Sequence, residues 1–196
     1  MKIIGVTGPS GSGKTLFGEY FSKLGITVIN ADEVYHSMLV PPSECLDAIK
    51  GAFGESVISS DGSLDRSVLS SIVFNDKAKL ALLNETVLCI VIKEIRRQVA
   101  LLEKQSNRAV IIDAPTLIES GLYKDCDTIV SVISTKEMRI KRISERDGIA
   151  ISKAKERVDA QCPDSFYTEA SDIVLENNGT EEEFTLKLSK LAEEII

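Results

Sequence analysis

Apolar residues along the chain fall into two patterns, short continuous runs and longer segments with helical spacing. The continuous runs, rich in Val and Ile, predict five buried strands. They cover residues 3–6, 27–29, 108–112, 127–133 and 172–175. Between them, apolar residues recur every three or four positions, which predicts amphipathic helices. Strands that alternate with helices indicate an α/β fold, with a five-stranded and mostly parallel sheet and helices on both faces.

Two of the connections between strands are long and helical. Residues 44–104 are mainly helical, and an apolar stripe from Leu80 to Leu102 predicts one long helix within them. Residues 135–163 are rich in Lys and Arg and predict a basic helical hairpin. We therefore expect a single domain over residues 1–196, in which residues 44–104 form an acceptor-binding insertion and residues 135–163 form a lid.

Composition changes this picture little but excludes several classes of protein. Of the 196 residues, 43% are hydrophobic and 27% are charged, as in an ordinary globular protein, and no stretch is apolar for long enough to cross a bilayer. The net charge of −7 argues against a nucleic-acid partner, which would require a basic face. Four dispersed cysteines and a single histidine suggest neither a zinc site nor a disulfide framework. We expect a cytoplasmic protein with no membrane or nucleic-acid partner.

The strongest chemical signal follows the first predicted strand. Residues 8–15, with the sequence GPSGSGKT, match every fixed position of the phosphate-binding pattern GxxxxGK[ST], between a strand and a helix. Glycines in such a loop let backbone N–H groups point inward and form a nest for anions at the positive end of the helix. Lys14 would reach the β- and γ-phosphates of a nucleotide, and the Thr15 hydroxyl would bind Mg²⁺. The pattern predicts the P-loop NTPase fold.

Two aspartates lie directly after predicted strands, at the edge where open parallel sheets bind ligands. Asp113 ends the third strand and is the expected partner of the phosphate loop, where it would hold Mg²⁺ directly or through water. Asp32 follows the second strand. It would take part in the chemistry, cap the next helix, or do both.

Three classes of P-loop protein compete for this pattern. A GTPase needs a guanine-reading NKxD segment, and a transporter or motor ATPase usually has a signature such as LSGGQ or a larger chain; this sequence has neither. The basic hairpin suits the lid of a small-molecule kinase, which would close over ATP and bring arginines to the transferred phosphoryl group. As an alternative, its charges form a solvated helical face that Glu145, Asp147 and Glu156 compensate.

Six segments of the chain, taken in order, resemble the dephospho-coenzyme A kinase family. They are TGPSGSGKT, INADEVYH, FGESVISSDGSLDRSVLSSIVF, IIDAPTLIESGLY, KRISERDGIAISKAKERVDAQCP and ASDIVLENNG. The resemblance covers nearly the whole chain at similar spacing. It implies transfer of the γ-phosphate of ATP to the ribose 3′-hydroxyl of dephospho-coenzyme A, the last step in making coenzyme A, with Mg²⁺ as cofactor.

The resemblance also implies roles for individual residues. It predicts an ATP site formed by Gly8, Gly11, Ser12, Gly13, Lys14, Thr15, Leu16, Arg142 and Asn177, with Asn177 beside the adenine. Asp32 would accept the hydroxyl proton, and Arg142 and Arg146 would act with Lys14 to neutralise the charge of the moving phosphoryl group. Asp32, Arg66, Asp113 and Gln161 would contact the acceptor substrate. For Arg66 and Gln161, a hydrogen bond that stabilises the fold is the equal alternative.

The sequence departs from the family pattern mainly in the part that is expected to hold the acceptor. Asn30 replaces an aspartate, Leu88-Cys89 replaces a His-Pro pair, and Phe166-Tyr167-Thr168 stands where basic residues are common. Loss of a histidine and of positive charge would weaken contact with an anionic acceptor. A kinase for another nucleotide or small-molecule alcohol, or a catalytically weak nucleotide-binding homologue, is therefore the alternative.

Overall fold

The computed structural model describes residues 1–74 and 76–196 and confirms the predicted α/β fold. Its strands are β1 (Lys2–Thr7), β2 (Thr27–Asn30), β3 (Ala109–Asp113), β4 (Thr128–Ile133) and β5 (Ile173–Glu176). They form one sheet in the order β2-β3-β1-β4-β5, and β1 is parallel to both β3 and β4, as β4 is to β5. The central strand β1 therefore carries the loop that follows it to the middle of one sheet edge.

Helices occupy most of the connections between these strands. They are α1 (Lys14–Lys23), α2 (Ala31–Ser37), α3 (Glu44–Phe53), α4 (Arg66–Val73), α5 (Lys77–Lys104), α6 (Lys136–Asp147), α7 (Ile151–Asp159), α8 (Asp164–Thr168) and α9 (Glu181–Ile195). Helices α3 to α5 occupy the stretch predicted to be mainly helical, in which Asn75 lies outside the described residues. Helices α6 and α7 form the predicted basic hairpin. Within the described residues, none of the helices is long and apolar enough to cross a membrane.

The described chain divides into two compact units, residues 1–29 with 102–196, and residues 30–101. In the first unit, a buried apolar cluster joins the sheet to α1 and α9, and its members include Ile4, Phe17 and Leu188. All five residues of β3 are buried, as expected of a central strand. A smaller cluster lies between the hairpin helices and includes Ile143 and Val158. The first cluster thus fixes α1 and α9 on the sheet, and the second holds the two hairpin helices together.

The second unit has its own apolar cluster, which α2 to α5 share. Its most buried members are Cys45, Ile49 and Val57, and Leu83 and Val87 of the long helix pack against it. Leu80, the first member of the predicted apolar stripe, is 44% exposed, so the packed part of the stripe begins one turn later. Helix α5 runs without interruption through Leu88 and Cys89, where the family pattern has proline.

Candidate active site

The phosphate loop lies at the point where the chain changes direction across the sheet. Strand β1 is flanked by β3 on one side and β4 on the other. The connection after β1 leads to β2, on the β3 side of the sheet, whereas the connection after β4 leads to β5, on the opposite side. Ligands bind at such switch points in open α/β sheets. The loop glycines Gly8, Gly11 and Gly13 all have positive φ, at 134°, 79° and 114°.

Two of these glycines are also required by close packing. A Cβ on Gly8 would overlap the carbonyl oxygen of Val132 in β4, and a Cβ on Gly13 would overlap the side-chain amide of Asn177 after β5. No other residue type fits either position without moving the backbone or an engaged side chain. The loop therefore packs closely against β4 and the segment after β5.

Helix α1 begins directly at the end of the loop, with Lys14 as its first residue. Gly13, at the N-cap position, supplies no side-chain cap, and the described first turn contains no acidic residue. Neither a capping side chain nor a carboxylate of that turn therefore competes with an anion for the positive end of the helix dipole. The Lys14 ammonium donates to the carbonyl oxygens of Gly8, at 2.7 Å, and Pro9, at 3.1 Å. It spans the loop at the position where a triphosphate would bind.

The hard oxygen groups predicted to bind a metal both belong to this edge of the sheet. Thr15 is exposed in the first turn of α1. Asp113 ends β3, is 7% exposed and pairs in register with Val6, two residues before the loop begins. A hydroxyl and a carboxylate are suitable ligands for Mg²⁺.

Arg142 of helix α6 lies against the loop. Its guanidinium donates to the carbonyl oxygens of Gly11 and Ser12, at 3.3 and 3.4 Å, and to the Ser134 hydroxyl, at 3.2 Å. It also donates to the backbone and side-chain oxygens of Asn177, at 3.1 and 3.3 Å. Burial lowers the pKa of Arg142, which nevertheless stays charged at neutral pH. This residue joins the loop to the end of β5.

Arg146 has different surroundings from Arg142. It is exposed, and its guanidinium makes two hydrogen bonds to Asp147, at 2.7 and 3.2 Å. Arg157 of α7 donates to the same carboxylate at 2.6 Å. The hydrogen bonds from Arg146 are the main cause of the lowered pKa of Asp147. One carboxylate is thus shared by two arginines.

Gln161 and Asn177 both bind the backbone of the phosphate loop. The side-chain oxygen of Gln161 accepts from the Ser10 N–H at 3.1 Å, so a structural hydrogen bond is present at this residue. The side-chain amide of Asn177, which is 4% exposed, donates to the Ser12 carbonyl at 2.8 Å. The predicted position of Asn177 beside the adenine stays a prediction.

Arg139 is a residue of this site that the sequence did not reveal. It is almost fully buried, and it donates to the Ser10 carbonyl at 3.2 Å and to Gln161 at 2.6 Å. The only signal in the sequence is its spacing three residues before Arg142, which places both arginines on neighbouring positions of one helix face. A run of basic residues does not itself show which member is buried.

In the second unit, Asp32 lies in the first turn of α2, but another residue caps that helix. The side-chain oxygen of Asn30 accepts from the N–H groups of Asp32 and Glu33, at 2.9 and 3.1 Å. The alternative that Asp32 serves as the cap is therefore wrong. Its carboxylate is exposed and remains available for chemistry. An asparagine at position 30 preserves the capping function that an aspartate would have.

Arg66, also in the second unit, begins helix α4. The carboxylate of Asp65 caps this helix and accepts hydrogen bonds from the N–H groups of Ser67 and Val68, both at 3.0 Å. Arg66 is exposed, and its charge lowers the pKa of Tyr35, although burial and the charge of Cys45 raise that pKa more strongly.

Comparison with known proteins agrees with this geometry. Residues 2–183 match the sequence model of a family described as dephospho-CoA kinase. The dephospho-CoA kinase of Shouchella clausii is 36% identical over 179 residues, which cover 91% of each chain, and that of Corynebacterium glutamicum is 34% identical over 196 residues, which cover 100% of this chain and 98% of the relative. A solved structure of the dephospho-CoA kinase from Campylobacter jejuni superposes with a TM-score of 0.74 at 28% identity and covers 100% of this chain and 98% of that one. These matches confirm the resemblance seen in the sequence, and the chain therefore belongs to the dephospho-CoA kinase family.

Proposed function

We propose that this protein transfers the γ-phosphate of ATP to the ribose 3′-hydroxyl of dephospho-coenzyme A. The observation that carries the proposal is the phosphate loop, whose glycines are required by φ and packing and whose lysine spans it, in a chain that belongs to this kinase family. The predicted ATP site takes in the loop and the first turn of α1 as far as Leu16. Its N–H groups would bind the phosphates, and Lys14 would neutralise their charge.

The proposed general base is Asp32. A carboxylate that is exposed and not used as a helix cap can accept the proton of the attacking hydroxyl. Asn30 supports this role because it holds the first turn of α2, and with it the backbone of Asp32. Arg66 and residues 44–104 are proposed to contact the acceptor.

Thr15 and Asp113 would hold Mg²⁺. In the described residues, no three or more His, Cys, Asp or Glu side chains are grouped so that they could hold a metal ion by themselves. A hydroxyl with one carboxylate is the kind of sparse set that Mg²⁺ uses together with nucleotide phosphates. The ion, when bound, supplies positive charge to the β- and γ-phosphates. Asp113 would contribute its carboxylate to the ion from the end of β3.

The two predicted lid arginines of α6, Arg142 and Arg146, are proposed to have separate tasks. Arg142 already engages loop carbonyls and Asn177, so it would stabilise the bound nucleotide from a fixed position. Arg146 would exchange Asp147 for the transferred phosphoryl group, while Arg157 keeps the carboxylate of Asp147 paired. The hairpin of α6 and α7 would thus serve as the lid.

A different acceptor is the second candidate, favoured by the departures from the family pattern. Phe166-Tyr167-Thr168 forms most of the short helix α8, in which Tyr167 is buried, so this segment presents no cation to an anionic acceptor. Asn30 and Leu88-Cys89 change the same part of the pattern. A catalytically weak homologue is a further alternative, and a catalytically silent nucleotide-binding protein is the non-enzyme one.

The test is ADP release with ATP, Mg²⁺ and a panel of acceptors. The panel contains dephospho-coenzyme A, adenosine, nucleoside monophosphates and pantetheine compounds. We expect the highest kcat/KM with dephospho-coenzyme A, together with a product phosphorylated at the 3′-hydroxyl. The Lys14→Ala variant should lose this activity, whereas Lys23→Ala, at the exposed end of the same helix, should retain it. A higher kcat/KM with another alcohol would overturn the proposed acceptor. The cytoplasm remains the expected location.

A further inference from the structure

Arg139 is the largest fully buried side chain in the described part of the molecule, with 2% of its surface exposed. Burial of a guanidinium carries a large desolvation cost and is tolerated only where its donors are occupied. Here burial lowers the pKa of Arg139, and the negative charge of Asp164 partly offsets this effect. A charged residue retained at such a position calls for a specific explanation.

The guanidinium of Arg139 joins helix α6 to two segments that are far apart in the sequence. Its Nε donates to the Ser10 carbonyl at 3.2 Å, its Nη2 to Gln161 Oε1 at 2.6 Å and its Nη1 to Asp164 Oδ1 at 3.1 Å. Each nitrogen thus has a different acceptor, which a planar fork permits. Gln161 and Asp164 follow the end of helix α7, whereas Ser10 lies in the phosphate loop.

Both backbone groups of Ser10 are fixed by this network. Its N–H donates to Gln161 at 3.1 Å, and its carbonyl accepts from Arg139. In a trans peptide the C=O and the following N–H point in opposite directions. Because the Ser10 carbonyl points to Arg139, the N–H of Gly11 points away from it. Helix α6 also passes close to Gly11, since an added Cβ would lie 2.9 Å from the Arg139 carbonyl oxygen.

We propose that Arg139 is a positioning residue for nucleotide binding, which fixes the peptide between Ser10 and Gly11 so that the loop is organised before ATP arrives. In this proposal Arg139 acts through its hydrogen bond to the loop backbone and does not contact the nucleotide. The inference rests on the proposed binding of ATP at this loop. It adds a role for a residue that is separate from the predicted lid arginines.

The test is the equilibrium affinity for ATP and Mg²⁺ without acceptor, measured by calorimetry alongside Tm. Arg139→Gln should weaken ATP binding by about tenfold or more, because hydrogen bonds from a charged donor are lost, while the KM for the acceptor stays unchanged. Arg139→Lys should fail to restore affinity, because it keeps the charge but lacks the fork. The control is Ile195→Ala, which removes part of the buried apolar cluster at the end of α9 and should lower Tm with ATP affinity unchanged.

Further variants keep the proposal testable if Arg139→Gln folds poorly. Gln161→Leu should weaken ATP binding selectively, and combining it with Arg139→Lys should cost less than the sum of the two separate effects. Equal ATP affinity in wild type and Arg139 variants would overturn the proposal, as would an equal weakening of ATP binding in Ile195→Ala. Wild type that binds ATP but does not phosphorylate dephospho-coenzyme A would overturn only the acceptor. Wild type that does not bind ATP would overturn the nucleotide site itself.

Discussion

Gly11 and Gly25 form a matched pair for separating backbone conformation from close packing. Their φ angles are 79° and 80°, so alanine has nearly the same conformational cost at each position, about 1–2 kcal/mol. They differ in their surroundings. No described atom lies within 4 Å of a Cβ added at Gly25, whereas a Cβ at Gly11 would lie 2.9 Å from the carbonyl oxygen and 3.1 Å from the Cα of Arg139.

The contact at Gly11 involves helix backbone, which cannot rotate away. Gly11→Ala must therefore push α6 outward, at an additional overpacking cost of about 1–3 kcal/mol. For a chain of this length, 1 kcal/mol corresponds to about 2–4 °C in Tm. We expect Gly25→Ala to lower Tm by about 2–8 °C and Gly11→Ala to lower it by a further 2–12 °C or so. ATP affinity should fall only in Gly11→Ala, because α6 carries the arginines that hold the loop.

The assay is thermal unfolding of both variants by circular dichroism, with ATP binding measured by calorimetry at a temperature where both are folded. Equal decreases in Tm would refute the steric part of the reasoning. A large decrease for Gly11→Ala with unchanged ATP affinity would refute the link between α6 and the loop.

Three other predictions concern the chemistry and the protonation of the protein. Asp32→Asn should lower kcat by a factor of about 10² to 10⁴ with ATP affinity retained, whereas the control Glu33→Gln should keep normal turnover. Normal turnover of Asp32→Asn in rapid kinetics would exclude Asp32 as the general base. Arg146→Ala should lower kcat by about 10³ or more, whereas Arg157→Ala should change it by less than about fivefold; similar losses would contradict separate roles. Burial, with help from neighbouring carboxylates, raises the pKa of Cys126 from 9.0 to about 12. The contribution of the Cys126 thiol to the stability of the folded protein is complete below pH 9.0 and is lost as the pH rises toward 12. At pH 9.0 the native protein should therefore resist alkylation of Cys126 by iodoacetamide, which mass spectrometry would measure.

The sequence predicted those features that depend on neighbouring residues. Strand β1, the phosphate loop and helix α1 were predictable because apolar periodicity and the glycine pattern agree over one continuous stretch. The position of Asp113 at the end of β3 followed from the apolar run before it. The order of strands in the sheet places this residue next to β1, as expected of the P-loop NTPase fold.

Features that depend on distant residues were not predictable in this way. Arg139 is one of several basic residues in α6, and its burial results from Ser10 and Gln161, which lie 129 and 22 residues away. The hydrogen bond from Asn177 to the loop likewise joins two ends of the chain. At Asn30, the sequence showed a departure from the family pattern, but only the hydrogen bonds accepted by its side chain show that it caps α2 in place of Asp32.

The hydrogen bond between Asn177 and Ser12 also has a consequence for biosynthesis. The two residues are 165 positions apart, so at about 5–20 residues per second the ribosome makes Asn177 roughly 8–33 seconds after the loop. Throughout that interval the nascent chain carries the glycine-rich loop without the amide that holds its backbone and without the acceptors of Arg142 at the end of β5. We therefore expect the polypeptide to acquire nucleotide binding late in translation, when β5 joins the sheet.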